Sequence, residues 1–136
     1  MGILLSDQNL HLFFSQLLQG MSCREITRAY LINLYTTFQS SNYDLCKNNI
    51  GLLFLEAKNS NTFVDFQNIG DYIFFIQTIM PSHLQPISYY QDTARLSYYS
   101  CYRLINKQWD VYNELSDNLI VLEQQVIQKL SHIQIK

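Results

Sequence analysis

The stretch Phe63-Val64-Asp65-Phe66-Gln67-Asn68-Ile69-Gly70-Asp71-Tyr72-Ile73-Phe74-Phe75-Ile76-Gln77-Thr78-Ile79-Met80-Pro81 decides the fold. Phe63, Phe66, Ile69, Ile73, Phe74 and Gln77 recur at three- and four-residue steps, the spacing of one face of an α-helix rather than the alternation of a half-buried strand. Asn59-Ser60-Asn61-Thr62 ahead of it supplies a polar turn and a cap. Pro81 behind it cannot continue a helix, because its ring nitrogen carries no hydrogen to donate. One pair breaks the pattern. Gly70 and Asp71 are both poor interior helix residues, so their place in a strongly amphipathic helix requires a compensating contact.

Outward from this helix the same periodicity continues, and runs of period-two alternation are absent. The expected architecture is all-α: a single compact bundle of about six helices in one domain, residues 1–136, with a long C-terminal helix. The first helix spans about 7–19, capped by Ser6 or Asp7 and stopped by Gly20. The second opens on Ser22-Cys23-Arg24-Glu25, a capping-box pattern, and carries Ile26, Tyr30, Leu34 and Phe38 as its stripe. The third is short, about 49–58, with Gly51 near its start. The fifth opens at Pro86 and Ser88, the latter in capping register with Gln91, and presents a face of Tyr90, Ala94, Ser97, Cys101 and Leu104, rich in small residues that permit close approach. The last runs from about 107 or 109 to 131 on a seam of Leu115, Leu119, Leu122, Val126 and Leu130. Ile120, Val121 and Ile127 widen its apolar surface, and with Trp109 they are the candidate interface residues: either this helix is covered from two sides or it meets a second copy. The polar segment 40–49 reads as a mobile loop.

Composition narrows the classes. At 48% hydrophobic residues the chain has material for a core, yet only 15% are charged, against about a quarter in ordinary globular proteins. Its surface must therefore be covered largely by uncharged polar groups and tyrosine, and such surfaces associate easily. Nine Lys and Arg are scattered among eleven acids, which leaves no electrostatic footprint for nucleic acid. Three cysteines without a CxxC pair fit core positions in a reducing compartment better than disulfides or zinc. His11, His83 and His132 each lack a ligand partner at helical spacing, so no metal is expected. Gly-rich phosphate loops and nucleophile motifs are missing, so no cofactor is expected either. Met1 to Asp7 has no basic and apolar leader pattern, and no segment reaches the roughly 18 apolar residues of a membrane span, which points to the cytoplasm.

Asp71 lies one position from the buried stripe, at the edge of the core, where a carboxylate must be hydrogen-bonded or paired. Tyr89, Tyr90, Arg95 and Tyr98 on the next helix are its natural donors. Two readings stay open. Asp71 accepts tyrosine or backbone bonds and locks the fourth helix to the fifth, with Gly70 allowing close approach; or Asp71 and Arg95 orient a small ligand in a pocket between those helices. Ten tyrosines, with Tyr89, Tyr90, Tyr98, Tyr99 and Tyr102 close together, cannot all face one pocket. Core packing combined with an interface explains them better.

The run Asn68-Ile69-Gly70-Asp71-Tyr72-Ile73-Phe74-Phe75, then Ser82-His83-Leu84, Tyr89-Tyr90, Tyr98 and Val111-Tyr112-Asn113-Glu114-Leu115, resembles a family of small all-α bacterial proteins. Arg28-Ala29-Tyr30-Leu31-Ile32-Asn33-Leu34 resembles that family's first prominent helix. The resemblance implies an all-α fold and a bacterial source, and it carries no assigned activity. Ser88 stands where the family has an acid before the tyrosine pair, which weakens a paired-carboxylate site with Asp71; Thr78 and Ala94 stand where it tends to glycine. The expected function is a non-enzymatic interaction or adaptor module with a protein partner or a second copy. The alternative is a small-molecule-binding bundle with its pocket near Asp71, and an enzyme ranks third.

Overall fold

The computed structural model describes residues 7–40 and 49–133 as seven helices: α1 (Asp7–Leu17), α2 (Glu25–Ser40), α3 (Ile50–Ser60), α4 (Phe63–Ile79), α5 (Ile87–Leu104), α6 (Asp110–Asp117) and α7 (Leu119–Ile133). The described residues contain no strand, so the all-α class stands. The Ser6 cap, Cys46 and the polar segment 41–48 lie outside the described residues. No helix among the described residues is long and apolar enough to cross a membrane.

The core is organised around α4. From Tyr72 to Thr78 every residue is buried, and the helix packs against α2, α3, α5 and α7. A helix enclosed on all sides needs apolar residues beyond a single stripe, and Tyr72, Phe75 and Ile76 supply them. Its largest contact is with α5, whose buried face is Thr93, Ala94, Ser97, Tyr98 and Cys101. The small residues bring the backbones together, and Tyr98 fills the space that they leave. A methyl group on Gly70 would lie 2.8–3.0 Å from the Tyr98 ring carbons, closer than carbon atoms can pack. Gly70 is therefore the seat of that ring.

The termini of the helices depart from the sequence patterns in instructive ways. Gly20 has φ +84° after α1, as a left-handed stop requires. At the start of α2 the Ser22–Glu25 box is not made. Glu114 of α6 accepts the Arg24 backbone N–H at 3.1 Å and also the Thr27 hydroxyl, while Glu25 receives Arg28 Nε at 2.9 Å. Arg24 also pairs with Asp110. The start of α2 is thus capped from another helix. With its hydroxyl satisfied by Glu114, Thr27 is buried and the stripe becomes Thr27, Leu31, Leu34 and Tyr35, while Ile26 is exposed. Tyr30 moves to the edge of the buried face.

The Ser88–Gln91 box is likewise unused: Pro86, after a cis peptide bond, occupies the N-cap of α5, and Gln91 reaches to Glu123 on α7. The residues expected to form one long last helix form two, α6 and α7, meeting at Asn118. Asp117 and Asn118 are poor helix formers, and the preceding Ser116 sends its hydroxyl to the Arg95 carbonyl at 2.9 Å. Across the bend, α6 lies on α5 and α2, while α7 lies on α4, α5 and α6. Leu119, Leu122, Glu123 and Val126 of α7 are buried, whereas Ile120 and Val121 stay exposed.

Because Tyr98 is buried and held by its hydroxyl, the ring cannot retreat from an added methyl. Gly70→Ala is expected to destabilise the chain by about 1–3 kcal/mol, overpacking outweighing the gain of about 1 kcal/mol in helix propensity. Urea unfolding checks this; an unchanged or raised midpoint would contradict the close Gly70–Tyr98 contact.

Candidate functional site: a carboxylate held by two phenols beside a groove

Asp71 projects from α4 at the point where α2 and α5 both approach. Its Oδ1 accepts the Tyr98 hydroxyl at 2.7 Å and the Tyr30 hydroxyl at 2.8 Å, and Oδ2 lies 3.0 Å from the same Tyr30 hydroxyl. One carboxylate therefore ties α4 to α5 and to α2. Around it, Tyr112 of α6 meets the Tyr30 ring edge-on at 5.4 Å and the Phe63 ring at 5.3 Å. Gln67 donates its side-chain N–H to the Tyr112 hydroxyl at 2.8 Å.

Loss of surrounding water pushes the Asp71 carboxyl up to about 7, against the two phenol hydrogen bonds, which hold it down. The same burial, reinforced by the Asp71 charge, raises Tyr30 and Tyr98 far above the ordinary phenol range. Both phenols are therefore permanent donors. Cys101 is pushed up to about 12 by burial and by Asp71, so its thiol is unreactive at neutral pH. No charged partner of Asp71 is present among the described residues.

Asp71 also lines a groove of about 440 Å³ between α2 and α4, with Tyr30, Asn33, Leu34 and Phe38 on one wall and Gln67 and Asn68 on the other. The cavity beside the carboxylate thus opens toward α2, while Tyr98 occupies its α5 side. A second groove of about 500 Å³ begins on the far side of Gln67 and Tyr112, where Phe63, Ile105, Asn106 and Trp109 line it. At its rim Asn106 and Lys107 both have φ +58°, a conformation that non-glycine residues adopt only where the surroundings impose it.

A further acid, Glu123 on α7, is buried and accepts Gln91 Nε2 at 3.2 Å through Oε1; its Oε2 has no partner among the described residues. Burial pushes this carboxyl up to about 7, against the Gln91 bond.

Of the residues singled out from sequence, Asp71 and Tyr98 come together. Arg95 does not join them: its Nε donates to the Ser116 carbonyl at 3.3 Å and its guanidinium lies 3.8 Å from Asp92, on the α5–α6 contact. Tyr89 and Tyr90 pack edge-to-face on each other at 5.0 Å, Tyr89 exposed and Tyr90 half-buried, and neither bonds to Asp71. Trp109, Ile120 and Val121 are exposed and Ile127 is half-buried. Tyr30 was missed as the second donor. Its place in an apparent core stripe concealed a hydroxyl at the stripe's edge.

Set against protein-family models, curated proteins and solved structures, the chain matches none of them.

Asp71 and Glu123 both hold their protons more tightly folded than unfolded. The folded chain therefore binds extra protons between the ordinary carboxylate range and about pH 7, and stability is expected to fall as the pH rises through that window. Melting temperatures across about pH 4 to 8 should show this decline, and Asp71→Asn with Glu123→Gln should flatten it. A profile that rises with pH in the wild type and is unaltered in the double variant would refute the assignment.

Removing the Tyr98 hydroxyl should cost more when Asp71 is charged. Tyr98→Phe is expected to destabilise by about 1.5–3 kcal/mol near pH 8 and by about half as much near pH 5. Denaturant titrations at the two pH values give the comparison; equal losses would mean that the carboxylate carries no charge at this site.

Proposed function

We propose that the chain is a non-enzymatic protein–protein interaction or adaptor module of the bacterial cytoplasm, associating with a second copy or with a partner's helix. The observation that supports this reading is the outer face of α3. Ile50 and Ala57 bury one side of that helix against the body, its main contact being α4, while Leu52, Leu53 and Leu55 face outward, Leu55 being 59% exposed. Val64 at the start of α4 is exposed as well. Each leucine left in water forgoes about 1.5–3 kcal/mol of burial. A helix apolar on nearly every side is built to be covered. The low charge content removes the repulsion that ordinarily keeps such surfaces apart. Trp109, Ile120 and Val121, also exposed, extend the reading to a second contact region, where aromatic anchors are favoured.

A second reading, a small-molecule-binding bundle, is favoured by the groove of about 440 Å³ beside Asp71. That volume lies in the range of small-ligand sites, about 300–1,000 Å³, and the groove combines the apolar Leu34 and Phe38 with one carboxylate and several uncharged polar side chains.

Light scattering over a concentration series separates the two. The wild-type mass is expected to rise toward that of a dimer with concentration, and Leu52→Glu with Leu55→Glu should hold the chain monomeric with its helical content intact. A wild-type chain that stays strictly monomeric and recovers no partner from native lysate would remove the interaction reading.

A further inference from the structure

Asp71 meets the groove with an uneven set of hydrogen bonds. A carboxylate can accept about four hydrogen bonds, yet among the described residues it receives two protons, one from each phenol. Tyr98 spends its proton on Oδ1, and the single proton of Tyr30 is shared between Oδ1 at 2.8 Å and Oδ2 at 3.0 Å. Oδ2 therefore keeps unused acceptor capacity, and Asp71 is one of the groove's lining residues. Among the described residues, the titratable groups that face it are Tyr30 from α2, Tyr98 and Cys101 from α5 and Tyr112 from α6. All four are neutral at physiological pH, so none of them balances a negative charge.

The groove walls complete the description. Leu34 and Phe38 are apolar, Asn33 and Asn68 offer amide oxygens, and among the described residues no lysine, arginine or histidine lines it. Tyr30 also lines the groove beside the carboxylate, and aromatic rings attract cations. An anion here would meet Asp71 unopposed, and a neutral alcohol would leave the charge uncompensated. Resting on the small-molecule reading above, we propose that the α2–α4 groove binds a small protonated amine, its ammonium group on Asp71 Oδ2 and its apolar body along Leu34 and Phe38.

The charge-assisted hydrogen bond is the discriminating contact. Binding of a cation favours the ionised carboxylate. Because Asp71 holds its proton up to about pH 7 in the empty groove, amine affinity should climb with pH through that point.

The test uses three probes of nearly equal size: phenethylamine, 2-phenylethanol and 3-phenylpropionate, titrated into the full chain and followed by backbone amide chemical shifts. Phenethylamine is expected to shift amides around Tyr30, Leu34 and Asp71, to bind about ten-fold tighter than the alcohol near pH 8, and to lose about ten-fold near pH 5.5. 3-Phenylpropionate should give no shifts there. Asp71→Asn should remove the preference for amine over alcohol. Should that variant fail to fold, Asn68→Trp, at an exposed wall position, should block the groove and abolish amine binding while Asp71 stays in place. If the alcohol binds as tightly as the amine, the groove is a ligand site but the cation inference is overturned. If none of the three probes shifts the groove amides, the small-molecule reading falls with it.

Discussion

A carboxylate taken out of water has to be stabilised by whatever surrounds it, and Asp71 draws its two phenol protons from two different helices. Much of the arrangement follows from that requirement. Tyr98 can reach the carboxylate only by lying flat over the helix backbone, which is why the preceding residue on α4 has no side chain. Tyr30 can reach it only if α2 turns its Thr27, Leu31, Leu34 and Tyr35 face inward, leaving the phenol at the edge. The hydroxyl of Thr27 in turn needs Glu114, so the orientation of α2 depends on α6. One ionisable group thereby links the register of four helices.

Much of this was legible in the sequence, and the rest was hidden for identifiable reasons. The period of α4, its proline stop and the incongruous Gly70-Asp71 pair announced both a central helix and a close approach, because each is local chemistry. Tyr98 as donor followed from its position on the next helix. Tyr30 did not, since α2 carries two overlapping apolar stripes one residue apart and long-range contacts, among them the bond from Thr27 to Glu114, select between them. The capping boxes failed for a related reason: the Ser22–Glu25 and Ser88–Gln91 patterns are satisfied locally in an isolated helix, but acids and amides from elsewhere compete for the same groups. Glu123 was invisible because a buried acid beside a leucine seam looks like an ordinary solvent-facing residue until its neighbours are known. Arg95, the one cation among the donors expected for Asp71, is drawn away by the Ser116 carbonyl.

The molecule also separates its surfaces. Leucines gather on the outside of α3, while polar and aromatic side chains line the two grooves around α2, the start of α4 and the loop before α6. Gln67 lines both grooves, and its amide donates to the hydroxyl of Tyr112, which lines the second. A change in one groove therefore has a short physical path to the other through a single amide–phenol bond.

The capping of α2 by Glu114 also bears on how the chain is made. The acid and the backbone N–H that it satisfies are 90 residues apart, so during synthesis α1 and α2 emerge from the ribosome long before the cap of α2 exists. Local propensity must hold them until α6 arrives, and a contact of such long sequence separation forms late because closing the loop is entropically costly. The first helices of this protein are made early and secured last.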